Sequence, residues 1–305
     1  MLRRSASLAL CLGTLGAFAL ALSAAPSARF AFRRILRVAT GMVETVPLEE
    51  YVAAVLPAEI GGGAPQAALE AQAVAARSYA LAHPDRHDDH EADLCDAVHC
   101  QVFRGLGTAT DATRRAALAT RGLVLVQDGR IIAAPFHAAC GGHTTRPTDV
   151  WDDEEVPNLT PAADDACLSA PVSHWTFKLS RIGLARLGAK LGVPGARFLE
   201  VYGRSDDGRV SMLRLHAPGQ GVKVVRGFDF RRAAASLWGW QSVRSTAFEI
   251  AETPAEYVLN GRGSGHGAGM CQTGAIGRAR RGETRDAILQ HYYAGARVAQ
   301  LQSLR

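Results

Sequence analysis

The chain has 305 residues, 48% of them hydrophobic, and a formal net charge of +5. That is ample apolar material for one large core or two modest ones. The basic excess is spread along the chain, without the clustered stripe or recognisable module of a nucleic-acid binder, so no nucleic-acid partner is expected.

The N-terminus "MLRRSASLALCLGTLGAFALALSAAPSA" has Arg3 and Arg4, an apolar run from about Leu8 to Leu22, then small residues. This is the layout of a cleaved secretory signal. A membrane-spanning helix needs ~20 apolar residues, and this run is shorter. Cys11 lies inside the run rather than after it, so it does not mark a lipoprotein. The expectation is a signal peptide over residues 1–28, and a mature chain, 29–305, in the periplasm or cell wall.

Next, "VPLEEYVAAVLPAEI" puts Leu48, Tyr51, Val52 and Val55 on one helical face, with an end expected near Pro57. Glu59 follows, and then Gly61, Gly62 and Gly63. Pro65 opens a second, alanine-rich helix from Gln66 to about Ala82, interrupted by Gln72 and Arg77. "HPDRHDDHEADLCDAVHC" reads as an exposed loop. A helix in "DATRRAALATRG" leads to strands in "LVLVQDGRIIAAPFHAA", joined by a turn at Asp128-Gly129. Residues 141 to 175 are loop-rich; "RIGLARLGAKLG" is helical, and hairpin strands alternate around Asp207-Gly208. "TRDAILQHYYAG" closes the chain as a helix. Strands and helices are interspersed without βαβ alternation. The expected class is α+β, with mostly antiparallel strands, one main domain, and residues about 175 to 245 as an inserted subdomain.

Once the signal is removed, Cys95, Cys100, Cys140, Cys167 and Cys271 remain. Outside the cytoplasm pairing is favoured, so Cys95–Cys100 and Cys140–Cys167 are expected as disulfides with Cys271 free. The competing reading is zinc, because "CDAVHC" and "HAACGGH" set histidine beside cysteine, with His137 and Cys140 as candidate ligands. Disulfides are preferred, since neither stretch is a CxxC and structural zinc usually takes four ligands in tight pairs.

Two loops carry histidines. "GRGSGHGAGM" has glycine at every second position around His266, a pattern that lets backbone approach another chain segment or a ligand closely. "FHAACGGHTT" places His137 at a strand end before a Gly141-Gly142 turn. No Gly-Lys-Ser/Thr step makes a phosphate cradle, no serine stands in a nucleophile elbow, and no H-E-x-x-H helix makes a peptidase zinc site.

In this order, "PLEEYVAAVLPAEI", "ALEAQAVAARSYAL", "CQVFRG", "ATRGLVLVQDGRIIAAPFHAACGGHT", "VW", "HW", "GRGSGHGAGMCQTGAIGRARRG" and "ILQHYYAG" resemble the stage II sporulation protein D family, which includes the LytB-type amidase-enhancer domain. The resemblance runs from about Val46 to Ala296. It implies a peptidoglycan-active protein, a lytic transglycosylase whose catalytic acid lies in the Pro-x-Glu step, here Glu59. It implies substrate-binding roles for Gln72, Arg77, His137, His266 and Gln272, with no cofactor required. The chain departs from the family at Ser264, where a bulkier residue is common, while Cys271-Gln272 fits the family's Ser or Cys followed by Gln. Partners implied are peptidoglycan glycan strands and a cell-wall amidase.

The chemistry suits one acid. Glycoside hydrolysis ordinarily takes two carboxylates. Lytic cleavage takes one, which protonates the leaving oxygen and then deprotonates the sugar's own 6-hydroxyl. Should water attack instead, Asp149 and Asp152 are the candidate second carboxylates. The rival reading is a non-catalytic module that docks on wall glycan and enhances a separate amidase.

Overall fold

A computed structural model describes residues 28–151, 158–168, 174–219 and 221–304. The signal-like N-terminus and Asp152 lie outside the described residues. No helix among the described residues is long and apolar enough to cross a membrane.

The fold is α+β, with small, mostly antiparallel sheets around two apolar cores. In the first, strand Phe32–Arg37 pairs antiparallel with Met42–Pro47, which feeds the helix Leu48–Glu59. Leu48, Tyr51, Val52 and Val55 are buried, as their spacing predicts. The helix does not stop at Pro57 but runs through it. Proline removes one N–H, and this near the C-terminal end costs little because the following amides still close: Ile60 and Gly61 N–H both reach the Leu56 carbonyl, at 3.0 and 3.2 Å. Glu59 is therefore the last helical residue rather than a linker.

Helix Gln66–Ala82 is the axle of this core. Ala68, Ala71, Ala73, Ala75, Ala76 and Ala80 are buried. Such small side chains let neighbours pack closely around the axis. The neighbours are Leu48–Glu59, Asp111–Ala119, Gln272–Arg280 and Arg285–Tyr292. Thr110 and Thr113 cap Asp111–Ala119 reciprocally, which stabilises its start by ~1 kcal/mol. The hairpin Leu123–Gln127 and Arg130–Ile131 turns on Asp128 (φ 49°) and Gly129 (φ 78°), both left-handed as a type I′ turn requires.

The stretch expected to be an exposed loop after His83 is partly internal. Leu94–Cys95 pairs in parallel with Phe32–Arg37, and Leu94 is buried. Its polar neighbour Asp93 is also drawn in, accepting from Arg34 N–H at 2.8 Å and Arg34 Nη2 at 3.0 Å.

The second core runs from Trp175 to Leu259. It combines strands His174–Ser180, Phe198–Arg204, Val210–Ala217, Gly221–Arg226, Phe248–Glu252 and Glu256–Arg262 with helices Arg181–Lys190 and Gly227–Trp238. It extends past residue 245 because Glu256–Arg262 pairs antiparallel with His174–Ser180. Arg209 ties it to the first core. Its Nε lies 2.8 Å from Asp207, and its Nη2 donates to the Cys140 carbonyl at 2.7 Å.

The glycine run then carries the chain back. Met270–Cys271 pairs in parallel with Phe136–His137. A Cβ at Gly269 (φ 67°) would meet the Pro135 carbonyl oxygen at 2.0 Å, and one at Gly263 (φ 75°) the Ala139 carbonyl oxygen at 2.6 Å. Only glycine permits both the conformation and the contact.

Candidate active site

Glu59 is partly buried at the helix end, and its Oε1 accepts a 2.7 Å bond from the backbone N–H of Val102. The segment that supplies this amide is positioned by its neighbour: Tyr51 O–H donates to Gln101 Oε1 at 2.9 Å, and Gln101 Nε2 donates to the Ala76 carbonyl at 3.3 Å. Val102 acts through its backbone, so no side-chain pattern announces it. The carboxamide of Gln272, the first residue of helix Gln272–Arg280, also acts on the Glu59 carboxylate, favouring its anion. Its Nε2 donates to Gln72 Oε1 at 3.4 Å. Gln72 is fully buried, and its Nε2 has no hydrogen-bond partner among the described residues.

Glu59 is thus surrounded by an amide N–H and neutral carboxamides. Burial raises its pKa above the ordinary carboxylate value, opposed by the Val102 and Gln272 bonds that favour the anion. The helix expected to end near Pro57 runs on to Glu59. The helix carries the acid, and hydrogen bonds aim it.

Arg77 does not join this group. It is fully buried and forms an ion pair with Glu49 at 2.5 Å, with further bonds to the carbonyls of Leu123 at 3.2 Å and Ala117 at 3.3 Å. The expected substrate contact is replaced by a structural one: every direction the guanidinium offers is met by protein.

His137 and His266 meet edge to face with ring centroids 5.4 Å apart, and Trp151 lies tilted over His266 at 4.8 Å. His266 Nε2 lies 2.9 Å from the Phe136 carbonyl, while its Nδ1 accepts from Ala268 N–H at 3.1 Å, which makes Nε2 the protonated nitrogen. His137 Nδ1 bonds the Ala268 carbonyl at 3.1 Å. Burial, reinforced by Arg209, pushes the His137 pKa down to about 3, and burial beside His137 lowers that of His266 as well. Both imidazoles are neutral near pH 7 and serve as hydrogen-bonding and packing groups. His266 lines a water-sized recess with Thr145, Asp149, Arg209 and Phe228. Cys271 is the register partner of His137, and Gln272 follows it in the chain. No described bond joins either imidazole to Glu59. Trp151, half-buried over His266, is a residue to which the sequence assigned no role.

Cys95, Cys100, Cys140, Cys167 and Cys271 are free thiols, so neither expected disulfide is present. They fall into two donor groups. His87 Nε2 lies 3.3 Å from Cys100 Sγ, and His99 Nδ1 lies 3.4 Å from Cys100 Sγ and 3.9 Å from Cys95 Sγ. Two nitrogens and two sulfurs at these separations match a tetrahedral zinc donor set. The other group is Cys140, Asp164, Cys167 and Cys271. The suggested pairing of His137 with Cys140 as ligands is not assembled, because His137 is turned towards Ala268 and His266.

The stage II sporulation protein model matches residues 37–127, which hold Glu59, Gln72 and Arg77. The chain is 32% identical over 260 residues to an uncharacterised protein of Brachyspira hyodysenteriae, covering 84% of this chain and 68% of that protein. It is 27% identical over 288 residues to stage II sporulation protein D of Bacillus subtilis, covering 87% and 78% of the two chains. It is 26% identical over 287 residues to the amidase enhancer of Bacillus subtilis, covering 79% of this chain and 39% of that protein. Matched across these lengths, the chain belongs to the stage II sporulation protein D family.

Proposed function

We propose that this protein is exported and cleaves the glycan strands of peptidoglycan by a lytic transglycosylase reaction, with Glu59 as the single acid/base. The observation that carries the reading is the Glu59 environment: a carboxyl whose pKa is raised by burial, held by Val102 N–H, with no cationic partner bonded to it among the described residues. A general acid at neutral pH needs such an environment.

In the reaction, protonated Glu59 gives its proton to the glycosidic oxygen as the C1–O bond breaks. The leaving strand departs as an alcohol. The Glu59 carboxylate then removes the proton of the sugar's 6-hydroxyl, whose oxygen closes on C1. Atoms and charge balance: one glycosidic bond breaks, one 1,6-anhydro bond forms, and Glu59 ends protonated. Gln272 and Val102 N–H stabilise the transient carboxylate, and their effect is opposite to that of burial. Binding the sugar on the half-buried ring of Trp151 completes the proposal; aromatic faces suit the apolar faces of sugar rings.

The test is digestion of purified denuded glycan by the mature protein, with mass spectrometry of the products. Anhydro-terminated muramic residues are expected. Reducing ends would replace the reading with hydrolysis and turn attention to Asp149, which lines the His266 recess. The similarity to an amidase enhancer supports a second reading, a glycan-docking module for a cell-wall amidase. Stimulation of an amidase by an otherwise inert wild-type protein would favour it.

A further inference from the structure

Behind the acid lies a group of buried side chains that the cleavage chemistry does not use. Cys140, Asp164, Cys167 and Cys271 are all buried, and their ligand atoms lie within 4.8 Å of one another. A carboxylate and three sulfurs concentrated in an apolar core are costly to leave uncompensated. Asp164 Oδ2 accepts from Tyr292 O–H at 2.8 Å and from Cys140 S–H at 3.3 Å, but Oδ1 has no hydrogen-bond partner among the described residues. The nearby guanidinium, that of Arg278, has its Nε 3.8 Å from Oδ1 and is itself without a hydrogen bond there.

The backbone is arranged around the sulfurs. Cys271 Sγ accepts from the N–H groups of Cys140 and Gly274, each at 3.2 Å. Cys167 Sγ accepts from Gly141 N–H at 3.4 Å, and Cys140 Sγ from Gly142 N–H at 3.4 Å. Amide dipoles directed at sulfur favour thiolate, the form a metal binds. Glycine makes the closeness possible: a Cβ at Gly274 would fall 2.0 Å from Asp164 Oδ2. A disulfide between any two of these sulfurs would still strand a third thiol beside a buried carboxylate.

We propose that Cys140, Cys167, Cys271 and Asp164 form a structural centre for a thiophilic divalent cation, zinc being the fitting ion, separate from the His87, Cys95, His99 and Cys100 group. Zinc–sulfur bonds of ~2.3 Å put ligand atoms ~3.8 Å apart in a tetrahedron, so the observed separations need only a small contraction. Loading the centre displaces the thiol protons to solvent, leaving three thiolates and one carboxylate on the ion. The ion clamps three segments: the loop after His137, the short helix Asp165–Leu168, and the start of helix Gln272–Arg280. Since Cys271 immediately precedes Gln272, the clamp holds the carboxamide against Glu59; this positioning role, unlike the metal binding, rests on the glycan-cleavage reading.

The test is metal analysis of the purified mature protein, followed by chelator stripping and titration with Co(II). In wild type, thiolate-to-cobalt charge-transfer absorption should correspond to a centre with three sulfurs, beyond the two available from Cys95 and Cys100. A variant with His87→Ala and His99→Ala should keep one equivalent of zinc, and Cys167→Ser should lose one equivalent relative to wild type. If a variant fails to fold, the wild-type cobalt spectrum still decides. The proposal is overturned by a disulfide among Cys140, Cys167 and Cys271 in non-reducing peptide maps, by a two-sulfur cobalt spectrum alone, or by zinc content that Cys167→Ser leaves unchanged. Zinc-loaded wild type that leaves glycan intact would instead count against the cleavage reading alone.

Discussion

Arg77 holds Glu49 by paired contacts, Nε to Oε1 at 3.0 Å and Nη2 to Oε2 at 2.5 Å, across 28 residues of chain. The bidentate pair fastens the axle helix to the start of the helix that carries Glu59. Arg77 is fully buried and the Glu49 side chain 31% exposed, so losing the guanidinium costs chiefly its charge-assisted hydrogen bonds, about 1.5–3 kcal/mol. Arg77→Ala should therefore lower the urea midpoint sharply. The fraction that remains folded should keep the wild-type KM for glycan. A raised KM at unchanged stability would return Arg77 to the substrate.

Glu59→Gln keeps the size of the side chain and a carbonyl oxygen for Val102 N–H. Turnover of denuded glycan should fall at least ~100-fold, the usual contribution of a positioned proton donor. Stability should move the other way. A carboxyl whose folded pKa lies above its unfolded value opposes ionisation in the fold, so it destabilises the protein as pH rises past the unfolded value. The neutral amide escapes this, and the variant should melt higher than wild type at pH 7. A lower melting temperature together with full activity would remove Glu59 from catalysis.

The Gln272 bond favours the Glu59 anion, and its loss should raise the Glu59 pKa further. In Gln272→Ala, the alkaline limb of the kcat/KM profile, where the acid loses its proton, should shift to higher pH. A shift to lower pH, or none, would show that the carboxamide does not act on the acid.

His137 supplies a stability test. Its folded pKa of about 3 lies below the ordinary 6.5, so its contribution is fully present above pH 6.5. As pH falls below that value, the unfolded chain takes up a proton that the folded one refuses, and stability drops by up to ~1.4 kcal/mol per pH unit. His266 is lowered in the same direction. Denaturant titrations between pH 7 and 5 should show this loss in wild type and a smaller one in His137→Gln. Equal slopes would mean that His137 takes up its proton as readily in the fold.

Much of the framework was legible because it rests on local rules. The apolar face of Leu48–Glu59, the Pro65 start, and the Asp128-Gly129 and Asp207-Gly208 turns each follow from periodicity or backbone preference. Alternating glycines were readable as a close-approach segment, and the Pro135 and Ala139 carbonyls supply what they approach. What stayed hidden depends on distant partners. An arginine on a helix looks the same whether it meets a sugar or Glu49 of a neighbouring helix, and Val102 contributes only its amide. Cysteine spacing suggested pairs, yet His87 and Asp164 lie within 4.8 Å of the sulfurs in their groups, which only the assembled fold reveals.

The bond between Gln72 and Gln272 spans 200 positions of sequence. Contacts of such separation form late, since a large loop must close before they contribute. A nascent or truncated chain that ends before Gln272 would carry Glu59 on its helix yet lack the carboxamide that aims it. Competence would thus switch on only when the last helices dock, and the molecule would have no working acid while it is still being synthesised.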